Sequence, residues 1–221
     1  MNESIINFFQ KSPISFSLIS ITVLISVFAF SNINFKEKGT FSPFEYHKNK
    51  KWWLLITHGF LHADFFHLFF NVYVLYIFGP SIESYFNVSS DIGSFYFISF
   101  YLGAMVFATL PSIIKHNNNP MYKSLGASGA ISAVVFAYIL IFPLNELGLL
   151  IIPGLWLPGF VFGALYLIAE HYLSKKQYSN IAHDAHISGS VFGVLFIIIY
   201  DFNNLINFFR SVGNYFVDLM N

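Results

Sequence analysis

The stretch YKSLGASGAIS, Tyr122 to Ser132, places a hydroxyl among glycines and alanines where a long apolar run begins. Before it lies the polar segment KHNNNPMYKS, residues 115–124, and after it the chain stays apolar from Ala127 to Phe142, where Pro143 stops a helix. A helix over those 16 residues is about 24 Å long at about 1.5 Å per residue. The hydrocarbon core of a bilayer is roughly 30 Å thick. Ser128 is therefore expected below the membrane surface, where the free backbone N–H groups of a first helical turn must face water or protein.

The composition requires a membrane. The 221 residues are 56% hydrophobic and only 10% charged, with a mean hydropathy of +0.62; soluble domains carry about 25% charge. Phenylalanine, at 29 residues, supplies much of the packing and lipid-facing bulk. With no cysteine, disulfides, thiolate metal sites and cysteine nucleophiles are excluded. A net charge of zero argues against nucleic acid as a partner. No cofactor and no metal are expected, and membrane lipid is the first partner.

Working outward from Ser128, runs near the 20 residues a span needs predict six helices. Helix 1 covers about Pro13 to Asn32, helix 2 Asp64 to Ile82, helix 3 Ile92 to Ile114, helix 4 Ala127 to Phe142, helix 5 Leu157 to Leu173 and helix 6 Ala182 to Tyr200. The first run is read as a span, not a signal peptide, because Glu3 precedes it and no small-residue cleavage site follows. The Pro- and Gly-rich LNELGLLIIPGLWLPG, residues 144–159, reads as an irregular interfacial loop, with Pro158 in the first turn of helix 5. Beyond it the tail repeats apolar residues at Leu205, Phe208, Phe209, Val212, Phe216 and Leu219, which suits an amphipathic helix lying on the membrane. The expected fold is all-α: a polytopic six-helix membrane domain over 1–201 and an interfacial tail over 202–221.

Six spans impose a parity. Helices 2, 4 and 6 start on the same side of the bilayer, and each carries polar residues in its first turns. Helix 2 has His67 and Asn71, four apart and so on one face; helix 4 has Ser128; helix 6 has His183 and His186. Taken singly, each has a structural reading: a back-bonded serine, an interfacial histidine, an asparagine bonding a neighbouring helix. Their shared position at matching helix ends favours a common site, because polar groups at membrane depth are costly and usually functional. Gly126 and Gly129 flank the serine. Gly189 and Gly193 form a small face one turn apart, matched by Gly129, Ala133 and Ala137 on helix 4. Small faces let two membrane helices pack backbone to backbone, which brings Ser128 within reach of His186.

A serine needs a base to take its proton. The pattern assigns Ser128 as nucleophile and His186 as general base, then acid. His67, Asn71 and the Ser128 backbone N–H are the donors to a developing oxyanion. Asp184, two residues from His186, is off its face and reads as an end cap or solvated charge, leaving a dyad without an orienting carboxylate. A metal hydrolase built on His58, His62 and His67 lacks any HExxH. A lipase elbow needs G-x-S-x-G on a strand, and residue 130 is Ala. A non-catalytic membrane chaperone or quality-control scaffold remains the main alternative. A transporter is weaker, because PGLWLPG has no counterpart in the other half.

HLFFN (His67, Asn71), GASG (Ser128) and AHISGSVFG (His186, Gly189, Gly193), with WLLITHGFLH before helix 2 and FGPSIE after it, resemble the rhomboid family of intramembrane serine proteases from about Trp52 to Gly193. The resemblance implies cleavage of single-pass transmembrane substrates near one face of the bilayer, a Ser128–His186 dyad, oxyanion donors at His67 and Asn71, and a structural role for Glu83. It also implies a bacterial inner-membrane setting with the N-terminus inside. Nine of the eleven basic residues lie on the side where the even helices start, and the positive-inside rule alone gives the opposite orientation. The chain departs from the family at Trp53-Leu54, where many members have Trp-Arg, and at Ser132, where some place a tyrosine on the catalytic histidine.

Overall fold

The computed structural model describes residues 8, 10–148, 154–175 and 182–220. Helix α1, Pro13–Ser31, opens with proline at its first position. That proline has no N–H to satisfy, and the next two backbone donors are met from another helix. Glu83, fully buried, accepts from Ile14 N at 2.9 Å and Ser15 N at 2.7 Å. The glutamate thus caps a helix start inside the bundle.

The lysine-rich segment forms α2, Ile33–Gly39, and α3, Pro43–Asn49, N-capped by the Asn32 and Ser42 side chains. One turn, α4, Leu54–Thr57, and a 3₁₀ turn, His58–Phe60, lead into α5, Phe65–Ser89, which Asp64 caps by accepting from His67 N at 2.9 Å. The expected end of this helix at Ile82 is corrected to Ser89, since the helix continues through Pro80. In a membrane bundle the backbone groups that a proline frees are satisfied by neighbours, so the break expected in water does not occur.

The third run divides at Thr109 into α6, Gly93–Ala108, and α7, Leu110–His116. Pro111 cannot donate, and Thr109 closes the preceding turn by donating Oγ1–H to Val106 O at 2.7 Å. Helix α8 is Ser128–Ile141. The following segment was expected to be irregular. Instead it contains strands β1, Glu146–Gly148, and β2, Trp156–Pro158, paired antiparallel with Leu147 opposite Leu157. Its middle, 149–153, lies outside the described residues, as does 176–181 in the later link. Pro158 caps α9, Gly159–Ser174, and does not enter it. Helices α10, His183–Tyr200, and α11, Asn203–Met220, complete the chain.

Among the described residues, four segments are long and apolar enough to cross a membrane: α1, α5, α6 with α7, and α10; α8 is apolar but shorter. The chain is a helical, multi-pass membrane protein. Helix α8 lies at its centre. Ala133, Val134 and Ala137 are fully buried and pack with Phe97, Phe100 and Tyr101 of α6 and Ile197 of α10. The closest pairing is α8 with α10. A Cβ on Gly189 would collide with the Gly129 carbonyl oxygen, and one on Gly193 with that of Ala133. Here the small faces read from the sequence meet backbone to backbone.

Candidate active site

The loop before α8 is held from below. Phe41 and Ser124 exchange both backbone hydrogen bonds at 3.0 Å, and Gly126 N donates to His58 O at 2.9 Å. His58 is itself buried, with Nδ1 2.8 Å from Leu54 O. Gly126 has φ +117°, and a Cβ there would lie 2.5 Å from His67 Cε1. Only glycine meets both demands: the left-handed backbone and the His67 ring packed against it.

That turn delivers Ser128 as the first residue of α8, with Ala127 at the cap and no capping side chain. The N–H groups of this first turn have no intrahelical acceptor, and the helix dipole adds partial positive charge there. Across the tight α8–α10 contact, His186 Nε2 lies 2.8 Å from Ser128 Oγ. Beside them is a small cavity lined by Thr109, Ser112, Ser124 and Gly126 as well as Ser128. Its hydroxyls suit water.

The other expected residues are placed differently. The His67 ring sits against Gly126 at the same end of the bundle. Asn71 is buried one turn along α5, where its Nδ2 donates to His67 O at 2.7 Å and its Oδ1 is unpartnered among the described residues. No hydrogen bond joins either side chain to Ser128 among the described residues. Ser128 and His186 therefore meet, while His67 packs on the Gly126 turn and Asn71 bonds back to the α5 backbone.

The Ser128–His186 pair has a carboxylate beside it, which corrects the expectation from sequence. Glu170 of α9 places Oε1 3.0 Å from His186 Nδ1 and Oε2 2.6 Å from His183 Nδ1, and its side chain is about nine-tenths buried. Asp184, the acid considered from sequence, instead pairs with Lys115 of α7 where both are partly exposed. Ser132 bonds the Tyr166 hydroxyl at 3.0 Å. The sequence reading missed Glu170 and Tyr166, and the signal for both was a carboxylate one turn beyond a tyrosine in a mostly apolar helix.

The ligand atoms of Glu170, His183 and His186 lie within 4.8 Å of one another, a donor set of a kind zinc accepts. Each carboxylate oxygen already takes a histidine hydrogen bond, so the trio is complete as a proton network. Among the described residues, the alternative cluster at His58, His62 and His67 does not bring its ligand atoms together as the Glu170 trio does. His58 Nδ1 is taken by Leu54 O, and His62 Nδ1 is 2.9 Å from Ser26 Oγ.

The Rhomboid domain family matches residues 49–201. The chain is 31% identical over 170 residues to "Rhomboid-like protein 11, chloroplastic" of Arabidopsis thaliana, covering 74% of this chain and 58% of that one. It is 31% identical over 147 residues to "Presenilin-associated rhomboid-like protein A, mitochondrial" of Danio rerio, covering 65% and 36%. It is 33% identical over 91 residues to "Putative rhomboid protease YdcA" of Bacillus subtilis, covering 41% and 42%. The matched part thus spans between 36% and 58% of these relatives. They come from a chloroplast, a mitochondrion and a bacterium, so the match does not single out the bacterial membrane expected from the resemblance. The match covers the loop that aims Ser128, the helix that carries His186 and the helices packed around them, and on that ground the chain belongs to the rhomboid family.

Proposed function

We propose that this chain is an intramembrane serine protease that cleaves single-pass transmembrane proteins. The observation that carries the reading is the 2.8 Å contact between Ser128 Oγ and His186 Nε2 at an uncapped helix start. His186 takes the hydroxyl proton as Ser128 Oγ attacks the scissile carbonyl carbon. The oxygen of that carbonyl becomes an oxyanion beside the N–H groups of the first turn of α8. His67 and the Asn71 amide are at hand for the same charge, once Asn71 Nδ2 leaves the His67 carbonyl. His186 then protonates the departing amine, and water from the polar cavity hydrolyses the acyl-enzyme by the same route in reverse. No metal or cofactor is needed in these steps.

The reading takes α8 and the 16-residue α9 as spans, short ones that leave the site beneath the lipid headgroups. That gives six spans, with α11 lying along the membrane surface through Phe209, Phe216 and Leu219, all of which are exposed. The N-terminus is placed inside and the site toward the outer face, in a bacterial-type cell membrane. Reporter fusion at the C-terminus tests this orientation.

The decisive experiment incubates purified protein with a model transmembrane substrate and, separately, with a fluorophosphonate probe. Wild type is expected to cleave and to label. Ser128→Ala and His186→Ala abolish both. Asn71→Ala slows cleavage about 10²-fold with normal expression, the magnitude of one lost oxyanion donor. A wild type that neither cleaves nor labels favours a non-catalytic scaffold. A fully active Asn71→Ala removes the asparagine from the oxyanion site.

A further inference from the structure

We infer that Glu170 is a positioning residue that makes the proposed dyad a three-part relay, Glu170–His186–Ser128, running from α9 through α10 to α8; the inference rests on the protease reading. Helix α9 meets the bundle through one stripe. Gly159, Gly163, Tyr166 and Glu170 recur at spacings of four, three and four, and so share a face. A Cβ on Gly159 would be 3.3 Å from Pro143 O, and one on Gly163 would be 3.2 Å from Ile139 Cδ1. Tyr166 bonds Ser132, and Glu170 ends the stripe on the two histidines.

A carboxylate at membrane depth is costly and needs a partner. The structural acid Glu83 is held by backbone N–H groups of α1. Glu170 instead has two imidazoles, and one belongs to the residue that touches Ser128. Acceptance by Glu170 Oε1 fixes the His186 proton on Nδ1 and leaves the Nε2 lone pair facing the serine hydroxyl. The other tautomer would present N–H to Ser128 and could take no proton. His183 holds Oε2, so the carboxylate cannot rotate away from His186. When His186 becomes an imidazolium, the facing carboxylate stabilises it. The same task falls to the buried aspartate of soluble serine proteases. Among the described residues, the titratable groups around His186 and its carboxylate are Glu170 and Tyr166 on α9, His183 on α10 and His67 on α5; Asp184 is engaged with Lys115.

Glu170→Gln tests the assignment. Glutamine has one acceptor and a donating NH₂, so it cannot accept from both histidines. The variant is expected to keep the wild-type unfolding midpoint and KM but lose about 10²–10⁴ in kcat. The acidic limb of its pH–rate profile moves to lower pH, because His186 has lost a facing negative charge. Wild-type kcat overturns the inference. So does a loss of kcat with an unmoved acidic limb, or one that only tracks a lowered unfolding midpoint. Histidine-selective ¹⁵N NMR of the wild-type protein reads the same point where the variant does not fold. Nδ1–H with a bare Nε2 at His186 supports the relay, and Nε2–H overturns it. The NMR result does not depend on turnover, so failure of the protease reading, seen as no cleavage and no labelling by wild type, stays distinguishable from failure of the relay.

Discussion

His58 and His62 lie beneath the turn that presents Ser128, outside the membrane-spanning helices. Burial pushes the His58 imidazole down to about 4, against a smaller raising effect of the Leu54 carbonyl, and pushes His62 down to about 3. Both therefore fold neutral, and the unfolded value is about 6.5. A histidine whose folded value lies below its unfolded value contributes stability that is whole above about 6.5 and is lost as pH falls toward the folded value. The unfolding midpoint in detergent is accordingly expected to drop between pH 6.5 and pH 4, and His58→Gln with His62→Gln to flatten that drop. An equally steep drop in the double variant would remove these histidines as its cause. At this scale the sequence was informative where neighbours in the chain are also neighbours in space. Ser128 announces itself by its glycines, and His186 by the small residues one turn on. Glu170 gave no such cue, because its partner lies sixteen residues away on another helix, while Asp184, adjacent in sequence, points at α7.

Among the elements, the α8–α10 pairing sets the Ser128–His186 distance. Any side chain at Gly189 must push the two backbones apart at the level of Gly129, one residue from the serine. Gly189→Ala is expected to destabilise the protein by about 1–3 kcal/mol, the range for overpacked cores, and to slow fluorophosphonate labelling even in the folded fraction. Gly193→Ala, one turn deeper against Ala133, carries a similar stability cost with less effect on labelling. Equal labelling by both folded variants and wild type would show that the contact does not set the Ser128–His186 distance. The small faces were legible because helix-face spacing is local. The passage of α5 through Pro80 and the division at Thr109 were not, because what a proline does depends on the groups around it. The β1–β2 ribbon was hidden for the opposite reason: Pro and Gly in 144–159 signal turns, while its pairing depends on tertiary contact.

The whole molecule is asymmetric about its central helix. Helix α8 is enclosed by α5, α6 and α10, whereas α9 docks by one stripe and has at most marginal contact with α5 among the described residues. Its first turn also leans on α11, where Phe160 meets Tyr215 and Phe216. Phe66 and Phe69 of α5 and Leu165 and Ile168 of α9 are exposed and apolar, as surfaces that face lipid require. On the proposed protease reading, a transmembrane substrate that enters between α5 and α9 displaces α9 and with it the Glu170 carboxylate. The chain has no cysteine, so paired cysteines on the first turns of α5 and the last turns of α9 can be joined by thiol-reactive linkers with no background reaction. A short linker is expected to block cleavage of a transmembrane substrate while leaving labelling by the small fluorophosphonate intact, since the probe reaches Ser128 from the aqueous side. Longer linkers should restore cleavage progressively. If cleavage continues under the shortest linker, the substrate does not pass between these helices. If labelling is lost together with cleavage, the linker has distorted the Ser128–His186 pair, and α9 is then a wall of the site whose position that pair depends on.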